Sequence, residues 1–196
     1  MPLVGGFQGE NLMLASAMVL ATGVASENVF AALNAMRPVR GRMELAAIRS
    51  NGASIFVDYA HTPDALATAL KSLRRHAMGR LVVVFGAGGD RDHSKRKLMG
   101  QVASEFADYT FLTDDNPRNE EPSEIRAMVL AGAPNSIEVA DRAEAILRAV
   151  DFLQAGDTLL IAGKGHESGQ IVGSDILPFD DVEQASIAVA ALEGAY

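Results

Sequence analysis

The sequence predicts an α/β fold: a mostly parallel sheet with helices on both faces, preceded by two further helices. Three observations predict it. From Met43 onward, short runs rich in Val, Ile and Leu alternate with helical segments. The run Leu81–Phe85 is apolar throughout, as expected of a strand covered on both faces. Four apolar runs are each followed by a loop of glycines or charged residues, and in open α/β sheets ligands bind beyond the carboxyl ends of the strands.

The segment from Asn11 to Gly23 is rich in Leu, Met and Ala and ends on a glycine suited to a C′ position, so it reads as a helix. Ser26 is expected to cap a second helix, with Phe30 and Leu33 on one face. Pro38 ends that helix, and Val39–Arg42 reads as a linker. Ile55–Val57 is a strand; Thr62 then serves as N-cap and Pro63 as N1 of a helix that presents Leu66, Leu70 and Leu73 on one side. Strand Leu81–Phe85, a helix over Ser94–Phe106 and strand Tyr109–Thr113 follow. The next helix starts near Pro122, with Ile125 and Val129 four apart. Ile137–Val139 is a short strand, and Asp141 with Glu144 forms a capping box. Thr158–Ala162 is the last strong strand. Gln170–Pro178 reads as a hairpin turning at Gly173-Ser174, and Asp181–Leu192 as a closing helix. The first forty residues fall outside this alternation and read as the trailing helices of a preceding domain. The expected units are therefore residues 1–42 and 43–196.

Composition narrows the function. The 196 residues carry 17 Lys and Arg against 25 Asp and Glu, a net charge of −8, which disfavours nonspecific nucleic-acid binding. No cysteine is present, which excludes a disulfide scaffold, a thiolate zinc site and a cysteine nucleophile. Apolar stretches fall short of the roughly 18–20 residues of a membrane span, and the beginning, MPLVGGFQGE, lacks a secretory signal. The expected location is the cytoplasm.

The four loops are Asp58–Pro63, Gly86–Asp92, Asp114–Arg118 and Gly163–Glu167. The glycine-rich one has Arg91 where G-x-G-x-x-G requires a third glycine, which argues against hydride transfer. No G-x-x-x-x-G-K-[ST] occurs, so this sequence holds no phosphate cradle of that type. A glycine run after a strand is often only a tight turn, but Arg91 sets a guanidinium where backbone amides already favour an anion. Asp115-Asn116-Pro117-Arg118 combines acceptor, amide and guanidinium around a rigid proline. It suits a zwitterion, with Arg118 bidentate to a carboxylate and Asp115 or Asn116 near an ammonium; the plainer reading is a solvated turn with a surface Asp–Arg pair. In the last loop Lys164 suits a phosphate and Glu167 an ammonium, unless the glycines simply turn the chain. The histidines, His61, His76, His93 and His166, form no ligand spacing, so no metal site is expected from this sequence.

The stretches FQGENLMLA, RPVRGRME, VDYAHTPDAL, VFGAGGDRD, TDDNPRNEEP, DRAEAI and AGKGHE, in that order, resemble the C-terminal part of a Mur ligase. The nearest type adds meso-diaminopimelate to UDP-N-acetylmuramoyl-L-alanyl-D-glutamate, and DNPR looks like its diaminopimelate-recognition motif. The resemblance implies a three-domain ligase that uses ATP and Mg²⁺ and proceeds through an acyl phosphate. This chain would supply the end of the central ATPase domain and the whole Rossmann-like C-terminal domain. It implies that Arg91, Asp115, Asn116, Pro117, Arg118, Gly163 and Glu167 bind diaminopimelate. Asn11, Arg42 and Asp58 would face the adenine, phosphate and ribose of ATP, and His61 would support its loop. No catalytic residue is expected in this chain, because the phosphate-loop domain is absent from it; the implied partners are the small-molecule substrates and the missing domains. Two other readings remain open at this level: a standalone α/β module binding a nucleotide or amino acid, and a Mur-type ligase of different amino-acid specificity.

Overall fold

A computed structural model describes residues 5–194. Two helices lead, α1 (Gly6–Ala21) and α2 (Ser26–Leu33), followed by the α/β body. Its elements are β1 (Glu44–Ile48), β2 (Ser54–Asp58), α3 (Pro63–Arg74), β3 (Leu81–Phe85), α4 (Ser94–Phe106), β4 (Tyr109–Leu112) and α5 (Pro122–Leu130). Then come β5 (Ile137–Glu138), α6 (Arg142–Phe152), β6 (Thr158–Ala162), the hairpin β7 (Gly169–Val172) and β8 (Asp175–Pro178), and α7 (Asp181–Glu193). Six strands form one sheet in the order β1-β2-β6-β3-β4-β5, parallel except that β1 runs antiparallel along β2. The expected fold class is the observed one.

Strand periodicity builds two cores. Phe56, Leu81, Val83, Phe85, Leu112 and Leu160 point to one face, where Leu66, Leu70 and Leu73 of α3, Met99 of α4 and Ile125 and Val129 of α5 cover them. The alternate residues Ile55, Val57, Val82, Val84, Phe111, Leu159 and Ile161 point to the other, under Ala145, Ile146, Ala149 and Val150 of α6 and Ala185 and Ala188 of α7. Burial on both faces is why β3 and β6 read as unbroken apolar runs.

Local chemistry sets the ends. Thr62 accepts from the Ala65 amide with Pro63 at N1 of α3, as expected. Asp141 accepts from the Glu144 amide, but the Glu144 carboxylate turns outward to Arg148 instead of closing a capping box. Gly23 sits at φ 88 just after α1, the left-handed C′ position glycine permits.

Three further expectations need correction. The first helix begins at Gly6, not near Asn11. Ser26 is the first residue of α2 rather than its cap; Ala25 stands at the N-cap without a side-chain bond, and the Ser26 hydroxyl turns to Glu27. Strand β1 was not anticipated. Its Glu-Leu-Ala-Ala-Ile sequence has little β-propensity, and it forms by pairing with β2 through a bulge between Leu45 and Ala47.

Helices α1 and α2 pack on each other around an apolar hollow lined by Leu12, Val19, Val29 and Leu33, while Met13, Leu14, Met18 and Phe30 lie exposed. The linker is tied to the body: Arg40 pairs with Asp180, and Gly41, at φ 65, lies against the backbone of Gly165 and His166. Among the described residues no helix is long and apolar enough to cross a membrane.

Candidate functional site

All four loops meet in one polar cleft of about 220 Å³ beyond the carboxyl ends of β2, β6, β3 and β4. Tyr59, His61, Gly88, Arg91, Lys95, Asp115, Asn116, Arg118, Gly163 and Glu167 line it. Parallel strands point the same way, so loops far apart in sequence come together at one edge.

The centre of the site is Asn116, buried in the turn after β4. Its Oδ1 accepts from Lys164 Nζ at 2.8 Å and from the Ile171 amide at 2.9 Å, and its Nδ2 donates to Glu167 at 2.9 Å. Asn116 thus welds the β4 loop, the β6 loop and the β7–β8 hairpin. Both lone pairs of its amide oxygen are thus taken within the protein, one of them by the Lys164 ammonium. Lys164 likewise faces inward. It is fully buried, lies 3.5 Å from Glu167, and burial pushes its pKa down against the opposing pull of Asp115.

Arg118 takes φ 53, and its backbone N–H and carbonyl bind Ile171 and Gly173 of the hairpin. Its guanidinium Nη1 donates to the Gly89 carbonyl at 2.8 Å and, more distantly, to that of Asn116. Its hydrogen bonds within the protein use Nη1 alone, so Nη2 and Nε have no partner among the described residues. No surface Asp115–Arg118 pair forms; it is Asp114 that pairs with an arginine, Arg126. A Cβ at Gly88 would lie 2.9 Å from Arg118 Nη1 and 3.8 Å from Arg91 Cγ, so both arginines pass beside this glycine, and the Arg91 guanidinium donates to the Asp90 carbonyl at 3.1 Å. Pro117 contributes no side chain to the lining; its carbonyl occupies the space where Gly89 would carry a Cβ.

The acidic side of the cleft lies beside β6. Gly163 adopts φ 118, and a Cβ there would stand 2.5 Å from Asp115 Oδ2. Asp115 is nearly buried, and Glu167 is held by Asn116. Cationic and anionic poles therefore lie side by side, the arrangement an amino acid's carboxylate and ammonium require.

Outside the anticipated set, Lys95, on the first turn of α4, lines the cleft and donates to the His61 carbonyl at 2.9 Å. Burial lowers its pKa, with Asp115 opposing. Arg96, fully buried, grips both oxygens of Glu120 at 2.8 Å and reaches the Gly88 carbonyl at 3.1 Å. This pair holds the Glu120 carboxyl at a pKa of about 2. Only adjacency of the β3 and β4 loops brings these partners together, a signal sequence spacing does not carry.

The three residues assigned to ATP do not share one pocket. Asn11 opens onto a separate hollow with Gln8, Met36, Arg37 and Val39. Arg42 is exposed, its guanidinium 4.7 Å over the Tyr59 ring. Asp58 accepts from the Met43 amide at 2.7 Å and the Ala60 amide at 2.9 Å, and burial raises its pKa against those bonds. His61 braces its loop as expected, through Nδ1 to the Tyr59 carbonyl at 2.8 Å. No cluster of three or more metal-ligating side chains occurs among the described residues.

The molecule is an α/β body with a charged cleft at its strand ends, the edge at which folds of this class bind ligands. Residues 41–165 match the family described as Mur ligase, glutamate ligase domain, and the chain belongs to that family. It is 55% identical over 97% of its length to the UDP-N-acetylmuramoyl-L-alanyl-D-glutamate–2,6-diaminopimelate ligase of Bradyrhizobium diazoefficiens, covering 39% of that protein. It is 52% identical over 96% of its length to the ligase of the same name from Zymomonas mobilis, covering 40% of it. A solved structure of a ligase so named aligns over 98% of this chain and 40% of its own, with TM-score 0.76 and 41% identity. The chain thus spans about two fifths of the relatives it matches. FolC of E. coli, aligned over 100% of this chain and 42% of its own at 21% identity and TM-score 0.69, shares the fold.

Proposed function

We propose that this chain is the amino-acid-binding part of an ATP-dependent ligase that adds meso-diaminopimelate to UDP-N-acetylmuramoyl-L-alanyl-D-glutamate in the cytoplasm, a step of peptidoglycan precursor synthesis. The observation that carries the reading is the meeting of Arg91, Arg118, Asp115 and Glu167 in one cleft. Residues 1–42 belong, in this reading, to the end of the preceding ATPase domain; the exposed apolar side chains of α1 and α2 and the family match beginning at residue 41 support that boundary.

A free carboxylate is a poor electrophile, and ATP with Mg²⁺ supplies the phosphoryl group that turns it into an acyl phosphate. What this chain's residues do is hold the nucleophile. Arg118 and Arg91 bind a carboxylate of diaminopimelate and Glu167 and Asp115 an ammonium, so the remaining amine is presented at a fixed angle. Asn116, Gly163 and Pro117 shape the turns that hold those groups. Of the residues assigned to ATP, exposed Arg42 suits a phosphate oxygen. Asp58 accepts one backbone amide at each oxygen, which fixes the turn that carries Arg42 and leaves a lone pair on each for a ribose hydroxyl.

Lysine lacks the second carboxylate and would leave a desolvated guanidinium unpaired, a strong basis for rejection. Titration calorimetry of the chain with meso-diaminopimelate tests the reading. Binding that R118A weakens at least tenfold, with lysine bound far more weakly, is the expected result. Equal binding by R118A would remove the assignment. Lysine bound as well as diaminopimelate would favour a ligase of other specificity, and a nucleotide bound in its place a standalone binding module. The chain alone should catalyse no ATP-dependent ligation, since it has no phosphate loop.

A further inference from the structure

We infer that Lys164 is a positioning residue of the cleft, which seats one oxygen of Glu167 inside the protein and leaves the other to the guest's ammonium. This rests on the proposed function and adds to it a residue that the guest never touches. Lys164 is fully buried and takes no part in lining the cleft. Burying an ammonium is costly unless its charge and its donors are answered, so the partners of Lys164 say what it is for. Its Nζ donates to Asn116 Oδ1 at 2.8 Å and stands 3.5 Å from Glu167 Oε2. Against burial and the Arg142 charge, the carboxylates of Asp115, Glu167 and Asp181 favour its ionised form.

The backbone turns this lysine inward while Glu167, three residues on, lines the cleft. Gly163 and Gly165, on either side of Lys164, take φ 118 and φ 55, and the Glu167 amide donates to the Lys164 carbonyl at 3.0 Å. Asn116 Nδ2 donates at 2.9 Å to the same Oε2 that Lys164 approaches. Lys164 also sets which way the Asn116 amide faces. An ammonium only donates, so it draws Oδ1 toward itself and leaves Nδ2 for Glu167. One oxygen of Glu167 is thereby anchored twice, and Oε1 has no hydrogen-bond partner among the described residues. The Glu167 side chain is 33% exposed in the cleft wall, so Oε1 is the oxygen left to meet a cation.

The test is an NMR titration of the chain, wild type, K164M, E167Q and the double variant, with meso-diaminopimelate and each enantiomer of 2-aminoheptanedioate. These analogues keep both carboxylates, and each lacks the ammonium of one end of the meso guest. Methionine keeps the apolar stem of Lys164, and thermal melting checks that each variant is folded. The expected result is that K164M and E167Q each weaken meso-diaminopimelate at least tenfold and that the double variant binds no more weakly than E167Q. Both single variants should spare the same analogue, the one without the ammonium that Glu167 meets. A K164M that binds diaminopimelate like wild type overturns the inference. So does one that weakens both analogues alike, or one whose loss recurs in full on top of E167Q, since either marks Lys164 as a prop of the fold. A crystal of the wild type soaked with meso-diaminopimelate tests the geometry without any variant. An ammonium on the Glu167 oxygen that Asn116 leaves free, with no guest atom on Lys164, is expected; an ammonium on the other oxygen, or a guest carboxylate on Lys164, overturns the inference. If the wild type binds no diaminopimelate, the parent reading fails and takes this one with it; if it binds and K164M binds equally, this inference alone falls.

Discussion

Asn116 commits both ends of its amide inside the protein, and that makes it the residue on which the cleft's geometry turns. Replacing it with alanine leaves the buried Lys164 ammonium and the Ile171 amide without acceptors, and we expect a loss of about 2–3 kcal/mol in chemical denaturation together with loss of diaminopimelate binding. Gly163 is equally constrained. G163A forces a Cβ against Asp115 at a backbone angle that L-residues avoid, and should cost about 1–3 kcal/mol. Of the site, the sequence made legible the charged and glycine-bearing turns, because residue types such as Arg118 and Glu167 announce their chemistry. The division of labour among them was not legible. Asn116 and Asp115 are neighbours with similar polarity, and only the arrival of Lys164 and Ile171 from distant segments separates a structural amide from an available carboxylate. Lys95 was hidden for the same reason: its partner His61 lies 34 residues away.

At the level of elements, buried ion pairs lock the loops that line the cleft. Arg142, at the start of α6, holds both oxygens of Asp181 at the start of α7 and the Ala162 carbonyl at the end of β6, with both side chains fully buried. D181A strands that guanidinium and should destabilise by roughly 3–5 kcal/mol. The Arg96–Glu120 pair joins α4 to the loop before α5. The pKa of Glu120 lies at about 2 against an ordinary 4.5, so the folded state favours the ionised carboxylate. Its contribution is complete above pH 4.5 and is lost as pH falls toward 2. Acid denaturation should therefore show E120Q less stable than wild type at neutral pH, with the gap closing across that window. Elements with a period of their own, such as β3 and α3, were readable from the chain. Edge strand β1 was not, because Ala46 and Ala47 carry no strand preference and the pairing comes from its neighbour β2.

For the whole molecule, the two cores draw on the α/β body almost alone; of α1, Phe7 packs against the first core, and α2 joins neither. Removing residues 1–36 should leave a domain that still unfolds cooperatively in thermal melting, since α1 and α2 add little to either core. The alternation of apolar runs gave away the layered architecture in advance, and the leading helices stood out because they break it. The central claim is that the cleft at the strand ends seats meso-diaminopimelate with Arg118 on a carboxylate, and a crystal structure of the chain soaked with that amino acid tests it most directly. Guest density between Gly88 and Gly163, with a carboxylate paired to Arg118 and an ammonium beside Glu167, is the predicted result. Density in any other hollow, or an Arg118 side chain turned away from the guest, would contradict it.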